Sequence, residues 1–178
     1  MKKLFIASAI AMTMAAGSAM AAGQQSEVQF LGVVTSVTCD IDSSVNGNAT
    51  NIVQLGSVAV GSQGTPVNFS LKAQDPNAAG CKALATKTAS IAFQGALGDN
   101  GLENGKAGTA TKAHVTLKTL NGKTNAEQEI KKGSSIVEFE ADKLISGDGY
   151  QFQAKLVSEQ GGTEGTFDSA LAYAVTYQ

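Results

Sequence analysis

The side chains whose type and spacing could do chemistry are few: Cys39 and Cys81, His114, and the carboxylate pairs Asp40/Asp42 and Glu138/Glu140. Two thiols alone make a poor metal site, because a structural zinc ion needs four ligands. His114 could serve a catalytic triad only beside a nucleophile and an orienting acid, and no nucleophile-elbow pattern accompanies it. With Thr116 and Lys118 it reads as a surface histidine on the polar face of a strand. Carboxylates two residues apart share one face of a strand and could hold calcium, but a solvated face is the simpler reading. "NGKT" (121–124) looks like the tail of a phosphate-binding loop, yet the first glycine of that motif would fall on Leu117. "ENGKA" (103–107) lacks the hydroxyl residue altogether. Both read as turns. Asn48-Ala49-Thr50 and Asn68-Phe69-Ser70 match the glycosylation acceptor at chance frequency. No catalytic residue, metal ligand or cofactor is therefore assigned, and an enzyme is not expected.

The chain opens with Met1-Lys2-Lys3, an apolar run from Leu4 to Ala16, and the small-x-small triplet Ala19-Met20-Ala21. That order reads as a secretory signal over residues 1–21, cleaved after Ala21. Export makes a Cys39–Cys81 disulfide the default, closing a loop of about 43 residues and contributing about 4 kcal/mol on the chain-entropy model. All thirteen basic residues are lysines and there is no tryptophan. Without Lys2 and Lys3, eleven lysines face fifteen acids, a net charge of −4. No basic stripe suits a nucleic acid or an anionic membrane.

The elements that must position these residues alternate with the period of a strand. "EVQFLGVVTSVTC" (27–39), "NIVQL" (51–55), "PVNFSLK" (66–72), "ASIAFQ" (89–94), "AHVTLKTL" (113–120), "SIVEFEA" (135–141), "YQFQAKLV" (150–157) and "SALAYAVTYQ" (169–178) are predicted strands. Turn signals such as Asn46-Gly47, Asp75-Pro76-Asn77 and Asn121-Gly122 separate them. The Gly-rich stretch 95–108 reads as a long exposed loop. The class is all-β, a sandwich.

The opening strand places Val28, Phe30 and Val34 on one face, and Gly32 notches that face. Together with "IVQLGSV" (52–58), "VNFSLK" (67–72) before Cys81, and the ending "AYAVTYQ" (172–178), this resembles the pilin subunits of chaperone–usher fimbriae of the type 1-like group. Tyr177 is the penultimate residue, and Gly165 is fourteenth from the C-terminus. The resemblance covers the whole mature chain and implies an incomplete immunoglobulin-like sandwich, residues 39–178, with an apolar groove where its last strand is missing. It implies that residues 22–38 are a donor strand running into the first strand of the fold. Val28, Phe30, Gly32 and Val34 would enter a neighbour's groove, giving a head-to-tail polymer. The implied partners are a periplasmic chaperone, which fills the groove first, and an outer-membrane usher, where exchange occurs. Leu171, Tyr173, Val175 and Tyr177 would edge the groove, and the carboxylate of Gln178 would be held by basic residues of the chaperone. The expected role is a shaft subunit of a surface fimbrium mediating adhesion, with a host glycan as a candidate receptor at the 95–108 loop. The competing reading is a monomeric secreted sandwich that binds a ligand or glycan and pairs its opening strand within its own chain.

Overall fold

The computed structural model describes residues 39–178. The expected signal segment 1–21 and the segment 22–38, with Val28, Phe30, Gly32 and Val34, lie outside the described residues. Ten strands and two short helical turns follow in chain order: β1 (Ile41–Val45), β2 (Asn48–Ala49), β3 (Val67–Ala73), α1 (Ala79–Lys82), β4 (Thr88–Gly95), β5 (Leu97–Gly98), β6 (Gly101–Glu103), β7 (Thr111–Thr119), β8 (Ile136–Glu140), a 3₁₀ turn (Ala141–Leu144), β9 (Tyr150–Thr163) and β10 (Leu171–Tyr177). One sheet runs β2-β1-β3-β9-β7-β6-β5 and the other runs β10-β4-β8, all pairs antiparallel.

Period-2 patterning explains why these segments are strands and which face each one buries. On β9, Tyr150, Phe152, Ala154, Leu156 and Ser158 are buried while the residues between them are not. On β8, Val137 and Phe139 are buried between the exposed Ile136, Glu138 and Glu140. On β4, Ala89, Ile91 and Phe93 turn inward from the second sheet. The two layers meet at Phe152. Its ring centroid lies 5.2 Å from Phe69, 5.3 Å from Phe139 and 5.6 Å from Phe93, spacings at which aromatic pairs attract beyond simple burial.

The Cys39–Cys81 bridge is present, with its Cα atoms 4.7 Å apart, and ties the entry of β1 to α1. Six predicted strands appear with ends shifted by one or two residues, except β9, which extends to Thr163. Three readings need correction. The predicted strand 51–55 is irregular chain outside either sheet. The predicted loop 95–108 contains the β5–β6 hairpin and buries Leu102, so only part of it is loop. The hairpin β1–β2 was not predicted, because "IDSSVNGNA" carries almost no apolar alternation.

Candidate functional site

β10 is an edge strand among the described residues, paired through β4 alone. Thr88 and Gln178 exchange both backbone hydrogen bonds, each 2.9 Å. Antiparallel pairs alternate between bonded and non-bonded, so Thr176, Ala174 and Ala172 are the residues bonded to Ser90, Ala92 and Gln94. The N–H and C=O groups of Leu171, Tyr173, Val175 and Tyr177 therefore point to the free edge. These same four residues turn their side chains, all half-buried, against the core. One set of residues thus offers both a bare ladder and an apolar wall.

A second rim faces the first. From residue 53 to residue 58 no backbone amide or carbonyl finds a backbone partner among the described residues. Val53, Leu55 and Val58 still pack inward against the core, while Ile52 and Val60 are exposed. Among the described residues, backbone groups without a backbone partner thus run along two segments, 53–58 and the free edge of β10. Between them lies a cleft of about 1060 Å3. Phe69, Leu71, Phe93, Val115, Leu117 and Leu156 line it, and so do Leu171 and Tyr173 of the β10 rim. Asp42 on β1 raises the phenol of Tyr173 after burial has done most of the shifting.

The cleft continues along the strap 164–170, which joins β9 to β10 and carries the half-buried Phe167. Gly165 sits where this strap crosses the start of β7. A Cβ there would come within 2.5 Å of the Ala110 nitrogen and the Thr109 hydroxyl, so only glycine allows the approach.

At the far end of β10, the buried hydroxyls of Tyr150 and Tyr177 neighbour one another without completing a hydrogen bond of ordinary geometry. Burial first, and the adjacent Tyr177 next, push Tyr150 far above the usual phenol range; burial also raises Tyr177.

The remaining sequence candidates resolve into local contacts. His114 is not a free surface histidine: its side chain is 12% exposed and its Nδ1 lies 3.3 Å from Glu159 Oε1. Asn100 Nδ2 donates to the same carboxylate at 3.2 Å. The strand pairing that follows the β7 bulge at Lys112 brings these residues together, a convergence that linear spacing does not display. Lys123 of "NGKT" pairs with Glu140 at 3.4 Å, and its backbone N–H donates to the Glu138 carbonyl at 2.7 Å. Asp42 accepts from Gln74 at 2.9 Å. Of the predicted groove edge, Leu171 and Tyr173 line the cleft, whereas Val175 and Tyr177 continue the strand beyond it. The Gln178 carboxylate already accepts the Thr88 N–H. Sequence reasoning missed the 53–58 rim as a rim and the strap altogether; the alternation of Val53 and Leu55 was the available signal for the first.

No protein-family model matches the chain. It is 43% identical over 178 residues to the F107 fimbrial protein of Escherichia coli, covering all of both proteins. It is 33% identical over 171 residues to the K99 fimbrial protein of Escherichia coli, covering 92% of this chain and 93% of that protein. The described fold is similar to the crystal structure of the P pilus rod subunit PapA, with a TM-score of 0.50 and 20% identity over 85% of this chain and all of that one.

Proposed function

This chain belongs to the fimbrial proteins, structural subunits of bacterial surface fimbriae, and from that premise we propose that it polymerises head to tail by giving its segment 22–38 to a neighbour's cleft. The observation that carries this reading is the pair of backbone rims, residues 53–58 and the free edge of β10, that find no strand partner among the described residues and flank an apolar floor. A strand laid between them gains a ladder on both sides and a dry surface beneath. This is β-strand addition, in which main-chain bonds supply affinity and alternate side chains supply specificity.

Val28, Phe30 and Val34 are the inserting side chains, and Gly32 passes where the cleft walls come close. Burying three large side chains at ~1.5–3 kcal/mol each stabilises the contact by roughly 5–9 kcal/mol before ladder bonds. That rivals the ~5–15 kcal/mol stability of a whole domain, so strand capture completes folding as well as joining subunits. Before assembly, a periplasmic chaperone strand occupies the same rims, meeting Tyr173, Val175 and Tyr177 and holding the carboxylate of Gln178. An outer-membrane usher is the place of exchange. The role is structural rather than enzymatic, and adhesion to a host glycan is assigned to the exposed part of residues 95–108.

The test is Gly32→Leu. Overpacking of this kind typically costs about 1–3 kcal/mol, and here it falls on the joint between subunits. Chaperone-bound subunit should stay near the wild-type amount while surface filaments fall sharply, as they should on deleting residues 23–34. Loss of the chaperone-bound subunit itself would place Gly32 in the subunit's own core and end the donor reading. A soluble monomer of native N-terminus on size-exclusion chromatography of surface material would favour a monomeric binding module instead.

A further inference from the structure

We infer that Asn104 is a positioning residue for strand capture: it clamps the strap that closes one end of the cleft. The inference rests on the donor-strand reading and adds to it a residue outside the cleft floor. Asn104 Nδ2 donates to the carbonyls of Ala110 at 2.9 Å and Thr166 at 3.0 Å, and its Oδ1 accepts the Asp168 N–H at 2.9 Å. A single side chain thereby holds the β6–β7 connection and two points of the strap. Backbone bonds extend the seam, from Gly105 N–H to the Asp168 carbonyl at 2.8 Å and from Thr109 and Ala110 N–H to the Thr166 carbonyl at 2.9 and 3.0 Å. Gly108 explains the composition of this loop. A Cβ on it would collide with the Asn104 side-chain amide, so the glycine is the space the clamp occupies.

The consequence follows from what the strap does. Thr166, Phe167 and Asp168 line the cleft, and the strap leads directly into Leu171, the first residue of the β10 rim. A strap free to swing would leave the end of the cleft without a wall and the first rim residue without a fixed height. Asn104 does not line the cleft, so its effect on an incoming strand would be carried by the strap.

Mutational effects within one interface fall mostly on the dissociation rate. Fimbriae built from Asn104→Ala subunits should therefore shed subunits in guanidinium about tenfold faster than wild type, equivalent to ~1.4 kcal/mol. Light scattering and gel analysis of released monomer give the rate. A merely structural residue would weaken every joint alike, so the variant is combined separately with Val28→Ala and Val34→Ala, which trim the two ends of the donor segment. A clamp at one end of the cleft predicts that the Asn104→Ala penalty shrinks in one of these backgrounds and persists in the other. Wild-type shedding by Asn104→Ala, or an equal penalty in both backgrounds, overturns the inference. If Asn104→Ala yields no fimbriae, Asn104→Asp, which keeps the oxygen facing Asp168 and gives up the donor, goes through the same cycle. Fimbriae that shed at the wild-type rate with Val28→Ala and Val34→Ala alike would instead refute the donor-strand reading itself.

Discussion

Proline substitutions at two adjacent positions of β10 should have opposite consequences. The amide of Ala174 donates within the sheet toward Ala92, whereas the amide of Val175 points to the free edge. Proline removes the donor at either place and constrains the backbone similarly, so the shared strain cancels in the comparison. Ala174→Pro orphans a carbonyl inside the β10–β4 ladder, costing the subunit about 1–3 kcal/mol. Val175→Pro breaks no bond within the described subunit. Its loss is one ladder bond to the captured strand and an orphaned acceptor on that strand, again about 1–3 kcal/mol, charged to assembly. The assay is hydrogen exchange on the refolded, disulfide-intact mature chain, read at the Ser90, Ala92 and Gln94 amides, with filament yield measured on cells. Val175→Pro should keep near-wild-type protection at those amides and lose filaments; Ala174→Pro should lose both. Equal deprotection by the two variants would refute the register argument. Abundant, wild-type-stable filaments from Val175→Pro would refute the assignment of this edge as the docking edge.

Other outcomes follow from the same geometry. Cys81→Ser should destabilise the subunit by about 4 kcal/mol, the chain-entropy value for a separation of 42 residues, which a urea titration of reduced against oxidised chain measures directly. Stability should fall on the alkaline side. Below pH ~10 the phenols of Tyr150 and Tyr177 are neutral in both states; above it they ionise in the unfolded chain while the raised native values keep the buried forms protonated, so the difference favours unfolding. Phenolate absorbance of these two residues should then appear together with loss of structure, and a simple early titration would contradict their burial.

How much of this could be read from sequence depends on where the physics is local. Strands β3, β4, β7, β8, β9 and β10 bury one face each, and alternation such as Val67, Phe69, Leu71 displays that directly. The misreading at 51–55 is instructive. Alternation reports which side chains are buried and carries no information on whether the backbone has a neighbour; Val53 and Leu55 pack against the core while their amides find no backbone partner among the described residues. The β5–β6 hairpin was hidden because Gly98 and Gly101 occupy positions that a strand pattern expects to be large. Asn104 was invisible for another reason. Its partners lie 6, 62 and 64 residues away, so only the fold reveals its role.

The two edges of the smaller sheet show that the bare one is not an accident of composition. Exposed strand edges invite aggregation, and proteins blunt them with charge, proline or covering segments. At β8 this chain does so. Glu138 and Glu140 occupy the exposed face, the Lys123 N–H bonds the Glu138 carbonyl, and Gln128 Nε2 reaches the Ile136 carbonyl at 3.1 Å. At β10 it does the reverse. Residues 169–178 carry no charged side chain and no proline, and neither do residues 51–60 along the opposite rim. A domain able to guard one edge leaves two rims without a strand partner among the described residues, uncharged and lined with half-buried apolar side chains. Such a surface would lower its free energy by taking up one more strand, and under the proposed donor-strand reading its lack of protective charge is what would admit that strand from another molecule.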